Sequence, residues 1–535
     1  MSDIVLLGDE AVAMGAIHAG LSSAYAYPGT PSTEIMEYLI RYSHKHQTPV
    51  AQWCTNEKTA YEAALGTSFA GKRSLVAMKH VGLNVAADPF INSAIVSIHG
   101  GMVLVVADDP GMHSSQNEQD SRYFADFARI VCLEPANQQE AYEMTRQAFD
   151  LSEKFQIPVM IRLVTRLAHS RSVVSVGEPR HENSIDKVPR PNSWILLPSN
   201  ARVQWHDLLD TQQHLKNLSE KSPYNHLELN PEFKDYGVIT TGLAKNYYLE
   251  NLPELREKPS HLHISVYPLP VNKIRALAEH VKKILVLEEG YPFLERYLRG
   301  ILPVPVKIIG KKSGDVPPEG ELTPDNIRPV LGLSERKGIS HSDLHLVTRP
   351  PQLCPGCPHA DTYDAIKKAL SVYDNSLVTS DIGCYTLGAL PPYSAIESTV
   401  CMGASVGMAK GAAEAGFHPV LAVIGDSTFL HSGVTPLMDA VAHNTNMTLL
   451  ILDNETVGMT GGQPTILPAS RLQPLILGLG VPKDHVHILT THRRFTDQNS
   501  DVIRTEINYD GLSVIIAVRE CIETAKRHRR EGVKK

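Results

Sequence analysis

The sequence predicts an α/β protein: two large doubly wound domains, each a parallel sheet covered by helices, with a smaller α/β domain between them. Three observations carry this. Short uninterrupted apolar runs alternate with segments of helical spacing along two long blocks, as expected of strands buried on both faces. Stretches rich in proline, asparagine and charge separate the blocks. A chain of 535 residues is long enough for three or four such cores.

The first domain is expected over residues 1–185. Its strands are read in "SAYAYPGT", where a strand runs into a Gly/Pro turn, in "SLVAMKH" and in "GMVLVVADDPG". Between them "EKTAYEAALGTSFAG" has helical spacing and stops at Gly71, a helix-ending residue. Residues 186–234 read as a polar connector. The smaller domain is expected over 235–340, with strands "YGVITTG", "HLHISVYPL" and "KILVLEEG" and a polar tail, "GKKSGDVPPEGELTPDNIRP". The last domain, 341–535, has strands "SLVTSDIG", "PVLAVIGDS", "MTLLILDNE" and "LSVIIAV".

Composition narrows the function classes. The chain is 42% hydrophobic and 20% charged with a formal charge of −7, ordinary for a soluble globular protein and no invitation to nucleic acid. The basic tail Ala525–Lys535 reads as a solvated terminus. "MSDIVLLGDE" lacks the layout of a signal peptide, and no apolar stretch is long enough to span a membrane. Seven scattered cysteines argue against a secreted disulfide scaffold, so a cytoplasmic location is expected.

The last domain carries the most readable chemistry. "PVLAVIGDS" ends in Gly425-Asp426-Ser427, "VTPLMDAVAHN" has helical spacing, and "MTLLILDNETVGMTGGQPT" supplies the next strand and a Gly-rich loop. This βαβ unit delivers Asp426 and Asn454 to the carboxyl ends of two strands, where ligands of open α/β sheets sit. Two oxygens there can share one small cation, and magnesium takes few protein oxygens, with phosphate and water completing its octahedron. Gly425, Gly458, Gly461 and Gly462 would let backbone approach a phosphate. Either residue alone is an ordinary turn or cap residue. Together they match the thiamine diphosphate signature, in which Asp426, Asn454 and the carbonyl of Thr456 hold magnesium. Such a site also needs a glutamate from another domain, sharing a proton with the aminopyrimidine. "QWCTNEKTAYEAA" offers Glu57 between a short strand and a helix N-terminus, where it can equally serve as a favourable anion on the helix dipole.

Several long motifs then fall in register: "YPGTPSTE", "NEKTA", "MKHVGLNVAADP", "ADDPGMHSSQNEQDSR", "CPGCPH", "SDIGCYTLG" and "LDNETVGMTGGQP". The chain closely resembles the alpha subunits of the indolepyruvate ferredoxin oxidoreductases, within the thiamine diphosphate-dependent 2-oxoacid:ferredoxin oxidoreductases, over essentially its whole length. The resemblance implies a pyrimidine-binding domain, a transketolase-C-terminal-like domain and a pyrophosphate-binding domain. It implies Glu57 as the group activating the cofactor and Thr30 beside the oxo-acid group. His359, Gly425, Asp426, Ser427, Asn454 and Thr456 are expected at the cofactor. Met459 stands where pyruvate-using relatives carry asparagine, implying a less polar pocket. Lys79, His80 and His113 fall in loops near the cleft, with no role assigned.

The remaining signal is "CPGCPH". Relatives hold a [4Fe–4S] cluster on a Cys-x-x-Cys, a cysteine after the next strand and one near the domain's end; here these are Cys354, Cys357, Cys384 and Cys521. A zinc site on Cys354, Cys357 and His359 lacks an evident fourth ligand. A thioredoxin-like disulfide and inert thiols are the other readings. Cys54, Cys132 and Cys401 read as packed thiols. Alpha subunits of the family commonly continue into a ferredoxin-like domain with two further cluster motifs; the sequence has neither, ending 14 residues after Cys521.

The function implied is oxidative decarboxylation of a 2-oxoacid, aryl or branched, to an acyl-coenzyme A, with electrons passing singly through one cluster to ferredoxin or another acceptor. Thiamine diphosphate, Mg2+ and one [4Fe–4S] cluster are the implied cofactors. A smaller beta subunit and coenzyme A are implied partners, in a dimer of heterodimers. The rival enzyme is a non-oxidative thiamine-dependent decarboxylase or carboligase, which has no use for four gathered cysteines. A catalytically inactive binding subunit is the rival from another class, and Glu57 with Asp426 speaks against it.

Overall fold

The computed structural model describes residues 2–186, 193–302, 306–336 and 351–531. The chain divides into two compact units, Met1–Ser340 and His341–Lys535. The expected boundary near 341 lies outside the described residues.

Unit 1 is built on a seven-stranded sheet in the order β12 (Val266–Tyr267), β6 (Cys132–Leu133), β7 (Val159–Val164), β5 (Met102–Asp108), β4 (Ser74–Lys79), β2 (Ser23–Ala26), β3 (Val50–Trp53). Every pair is parallel except β12–β6. Strands β4, β5 and β7 are buried at every residue, which is why they read as continuous apolar runs. An antiparallel ribbon, β1 (Ser2–Leu7) with β8 (Arg171–Val176), closes one side. A five-stranded sheet follows, β14 (Lys307–Ile309), β13 (Lys283–Leu287), β10 (Gly237–Thr241), β11 (Ser260–Ile264), β9 (Leu227–Glu228).

Two expectations change here. "HLHISVYPL" is not one strand: its two halves join different sheets as β11 and β12. The break falls at Ser265, where the Asn225 carboxamide oxygen accepts the N–H groups of Ser265 (2.8 Å) and Val266 (2.9 Å) in place of a strand partner. The expected connector also contains a 24-residue helix, Pro198–Lys221, which buries Gln204, Leu208, Leu215 and Ser219 and leaves most of the rest exposed.

Unit 2 is a five-stranded parallel sheet, β15 (Leu377–Thr379), β16 (Val420–Gly425), β17 (Met447–Asp453), β21 (Leu512–Val518), β20 (Val486–Thr490). Alternate residues serve two cores. Ala422, Ile424, Leu449, Ile451, Val514 and Ile516 pack on one side, and Leu421, Val423, Leu450, Leu452, Ile515 and Ala517 on the other. A small hairpin, β18 (Thr456–Val457) with β19 (Gln463–Pro464), closes the Gly-rich loop after β17. No helix among the described residues is long and apolar enough to cross a membrane.

Candidate active site

In unit 1, the chain segments leaving β2, β3, β4 and β5 supply the candidate side chains from adjacent strand ends. Glu57 opens the helix Glu57–Phe69 after β3. Asn56 caps that helix, its carboxamide oxygen accepting the Thr59 N–H at 2.9 Å. The Glu57 side chain is buried and turned onto the helix that follows β4. A Cβ placed on Gly82 would stand 2.6 Å from Glu57 Oε1 and 2.7 Å from its Cγ, so any side chain at 82 would displace this carboxyl.

Lys79, the last residue of β4, is buried. The Gly29 turn lies over its stem, and its Nζ donates to the Ser114 carbonyl at 3.0 Å. Burial pushes its ammonium down to about 8, against the pull of Asp109 and Glu57. Ser114 Oγ in turn donates to the Thr30 carbonyl at 3.2 Å, tying the Thr30 turn to the loop after β5. Asp109 anchors that loop, accepting from Ser114 N (2.8 Å), Ser115 Oγ (2.6 Å) and Thr165 Oγ1 (2.7 Å). Burial raises the Asp109 carboxyl, but these donors outweigh it and hold the group below its ordinary range. The loop's other end is fixed by a buried ion network in which Arg162 donates to Asp108 at 2.6 Å and Arg122 to Asp120 at 2.5 Å. Charges this deep need partners more than they stabilise, so their role is to fix geometry.

His80 is buried against the Asn117 carbonyl at 3.1 Å, and burial lowers its pKa so that it stays neutral. His113 is half exposed and turns to Glu321, 3.3 Å away.

In unit 2, Asp426 follows Gly425 at the end of β16. Gly425 has no side chain because the Tyr385 ring occupies its place: a Cβ there would lie 2.5 Å from the ring. Residues Phe429–Gly433 form a wide π turn before the helix Val434–Ala442. Asp426 is buried, its Oδ2 has no hydrogen-bond partner, and neither has Ser427 Oγ. Burial and the facing Asp453 carboxyl hold Asp426 well above the usual carboxylate range. A buried carboxylate oxygen with no hydrogen-bond partner is what a divalent cation relieves, so Asp426 suits magnesium.

Asn454 is buried after β17. Its Oδ1 accepts the Thr456 N–H (3.1 Å), and its amide nitrogen lies 3.1 Å from His359 Nε2. Burial lowers His359 to about 4, so the ring stays neutral. It then accepts from the amide, which turns Asn454 Oδ1 the other way. Thr456 is held by its hydroxyl on the Gln463 carbonyl at 3.0 Å.

Two of the four cysteines, Cys384 and Cys521, pack against this same loop. A Cβ on Gly458 would stand 2.9 Å from Cys384 Sγ, and the Cys521 N–H donates to the Asn454 carbonyl at 3.1 Å. Arg519 donates to the Gly356 carbonyl at 2.9 Å, joining the Cys354–Cys357 turn to the end of β21. Burial pushes the Cys384 thiol up to about 12, with Cys357, Cys521 and Cys354 each adding to the rise. Burial likewise raises Cys357 to about 11, helped by Cys354 and Cys521. The four thiols are therefore electrostatic neighbours. No three of them have sulfurs within 4.8 Å of one another among the described residues. Cys54 and Cys132 have pKa values raised by burial, as packed thiols do, whereas Cys401 is exposed.

Sequence reading missed the Asp381 cluster. Asp381 is buried and raised to about 6 by burial, and it accepts from the Tyr385 hydroxyl and, at 2.6 Å, from Ser405 Oγ. It ties "SDIGCY" to Gly403, whose φ of +84° opens the helix Ala404–Glu414. The Gly-Ala-Ser at that helix start was the available signal.

Comparison with known proteins defines the class first. Residues 14–196 match the family model described as pyruvate flavodoxin/ferredoxin oxidoreductase, thiamine diphosphate-binding. Residues 381–515 match the C-terminal thiamine pyrophosphate-binding domain of thiamine pyrophosphate enzymes. The chain thus contains two thiamine diphosphate-binding domains. Indolepyruvate oxidoreductase subunit IorA of Archaeoglobus fulgidus is 38% identical, with 99% of this chain and 88% of that one covered. The IorA subunits of Methanothermobacter marburgensis (36%; 97% and 87% covered) and Thermococcus kodakarensis (34%; 99% and 88%) are similar too. The chain belongs to the IorA family of thiamine diphosphate-dependent 2-oxoacid:ferredoxin oxidoreductases. A solved 2-oxoglutarate:ferredoxin oxidoreductase from Magnetococcus marinus shares the fold, with a TM-score of 0.51 at 19% identity over 61% of this chain and 64% of that one.

Proposed function

We propose that the chain is the large subunit of a cytoplasmic enzyme that converts a 2-oxoacid, aryl or branched, and coenzyme A to an acyl-coenzyme A, CO2, a proton and two electrons. Bound thiamine diphosphate would supply the decarboxylation chemistry, and an iron–sulfur cluster a single-electron exit.

The residues divide that work. Glu57 would share a proton with the cofactor's aminopyrimidine, and Gly82 leaves the carboxyl its space. Thr30, held through Ser114, lines the oxo-acid end. Asp426, the Asn454 side chain and the Thr456 carbonyl hold magnesium, with Gly425 and Ser427 beside the diphosphate. His359 acts through Asn454 by orienting its oxygen. Met459, 55% exposed beside Gly458, gives the site an apolar edge suited to an aryl group. Cys354, Cys357, Cys384 and Cys521 hold one [4Fe–4S] cluster. A smaller beta subunit completes the coenzyme A end in a dimer of heterodimers, and ferredoxin or another electron-transfer protein takes the electrons. Residues 1–185, 235–340 and 341–535 serve as pyrimidine-binding, transketolase-C-terminal-like and pyrophosphate-binding domains, with 186–234 as the connector.

One observation carries the oxidative reading over a non-oxidative decarboxylase. The loop that presents Asn454 and Thr456 is the loop against which Cys384 and Cys521 pack. A decarboxylase or carboligase needs the first pair and has no use for the second. The test is anaerobic purification with the smaller subunit, then 2-oxoacid- and coenzyme A-dependent reduction of a viologen dye. Arylpyruvate-driven dye reduction is expected. CO2 release without dye reduction would favour the non-oxidative enzyme.

A further inference from the structure

Outside the active site, one group of side chains in unit 1 has the makings of a second ion site. Asp9 lies in the first turn of the helix Gly8–His18, Glu34 in the first turn of Thr33–His46, and His169 ends the short helix Thr165–His169. One ligand atom from each lies within 4.8 Å of the other two, and His169 Nε2 is 3.4 Å from Glu34 Oε2. Two carboxylates and an imidazole do not make a site by themselves. The second observation is Asp9, which is fully buried, with neither carboxylate oxygen hydrogen-bonded. A buried carboxyl in that condition is costly unless something satisfies it.

We propose that Asp9, Glu34 and His169 bind one divalent first-row transition-metal ion, with water completing its coordination. The donor set fits. Two carboxylates offset the charge of a dication, and neutral imidazole suits this part of the metal series better than magnesium or calcium. Glu34 and His169 side chains are each 35% exposed, which leaves an entry side and room for water, while Asp9 forms the floor. Burial, Glu34 and Glu10 all disfavour a charged Asp9, and the Ile35 N–H favours it from outside hydrogen-bonding geometry. The nearby cation Arg41 reaches Glu10 (3.7 Å) and Glu37 (3.9 Å). An ion here clips together three helices. One follows the Thr30 turn, and another begins at Thr165, which bonds Asp109. The ion would therefore tie the helices that adjoin the Thr30 turn and the Asp109 loop to one another.

The test uses the full chain saturated with Mg2+ and thiamine diphosphate, so that the Asp426 site is filled. Mn2+ is titrated and the free ion read by electron paramagnetic resonance. One tight Mn2+ per wild-type chain is expected, weakened roughly 100-fold or more in Asp9→Asn and His169→Gln and unchanged in Asp426→Asn. Co2+ should give a visible absorption band that His169→Gln abolishes. Equal Mn2+ binding by wild type and Asp9→Asn overturns the proposal and leaves Asp9 as a protonated carboxyl sharing its proton with Glu34. Loss of Mn2+ in Asp426→Asn alone overturns it equally. Should Asp9→Asn fail to fold, Glu34→Gln and His169→Gln decide by the same readout.

Discussion

Replacing Gly82 by alanine tests the catalytic reading of Glu57 without touching Glu57. The added methyl would stand 2.6 Å from Glu57 Oε1 and 2.7 Å from Cγ, whereas ordinary contact begins near 3.4 Å. The carboxyl must therefore retreat by about 0.8 Å, the difference between 3.4 and 2.6 Å. It can, because it is the end of a flexible side chain. A displacement of about 1 Å in a catalytic group costs on the order of 100-fold in rate. Stability should move the other way or not at all. Gly82 lies inside the helix His80–Val85, where alanine is favoured over glycine by up to about 1 kcal/mol. The expected split is a roughly 100-fold fall in deuterium exchange at C2 of bound thiamine diphosphate, followed by NMR, with Tm unchanged or slightly raised. Wild-type exchange in a folded Gly82→Ala protein would refute Glu57 as the activating group. A fall in Tm of several degrees would mean that the clash is absorbed by backbone.

Three further outcomes follow from the geometry. Asp426→Asn should lose magnesium-dependent binding of thiamine diphosphate by about 100-fold in calorimetry, because it removes the charge from the cation's buried oxygen; unchanged affinity would remove Asp426 from the metal site. Cys384→Ala should lower bound iron from about four per chain to near zero in anaerobic preparations, while Cys132→Ala, a packed thiol, keeps it. Equal iron in both would strike Cys384 from the ligand set. Lys79 titrates near 8 in the folded protein against 10.5 when free. Between those values the unfolded chain holds the extra proton, so the wild type should gain stability over Lys79→Met as pH rises. The slope is at most about 1.4 kcal/mol per pH unit, with no change below 8. Thermal unfolding of both proteins at pH 7, 8 and 9.5 checks the sign, and a wild type that loses ground above pH 8 contradicts it.

The parts of this molecule legible in its sequence are those decided locally. Strands β4, β5, β16, β17 and β21 are buried on both faces, so they had to be continuous apolar runs. Open α/β sheets present ligands beyond the ends of such strands, which is why Asp426 and Asn454 could be named as candidates. What stayed hidden depends on distant partners. Asn225 breaks β11 from β12 across 40 residues. The helix Pro198–Lys221 is polar enough around most of its surface to read as a connector. Nothing in "HVGLN" reveals that Gly82 makes room for Glu57, and nothing in "LGDEA" that Asp9 faces Glu34 and His169. His359 was expected at the cofactor, and its contact with Asn454 could be found only from coordinates.

The most direct measurement is a single turnover. The anaerobic complex, loaded with thiamine diphosphate and Mg2+, is mixed with a 2-oxoacid and frozen for electron paramagnetic resonance. The account requires a reduced-cluster signal that appears only when both oxoacid and thiamine diphosphate are present and that is lost in Cys384→Ala. Release of CO2 with no paramagnetic signal at any time would contradict it.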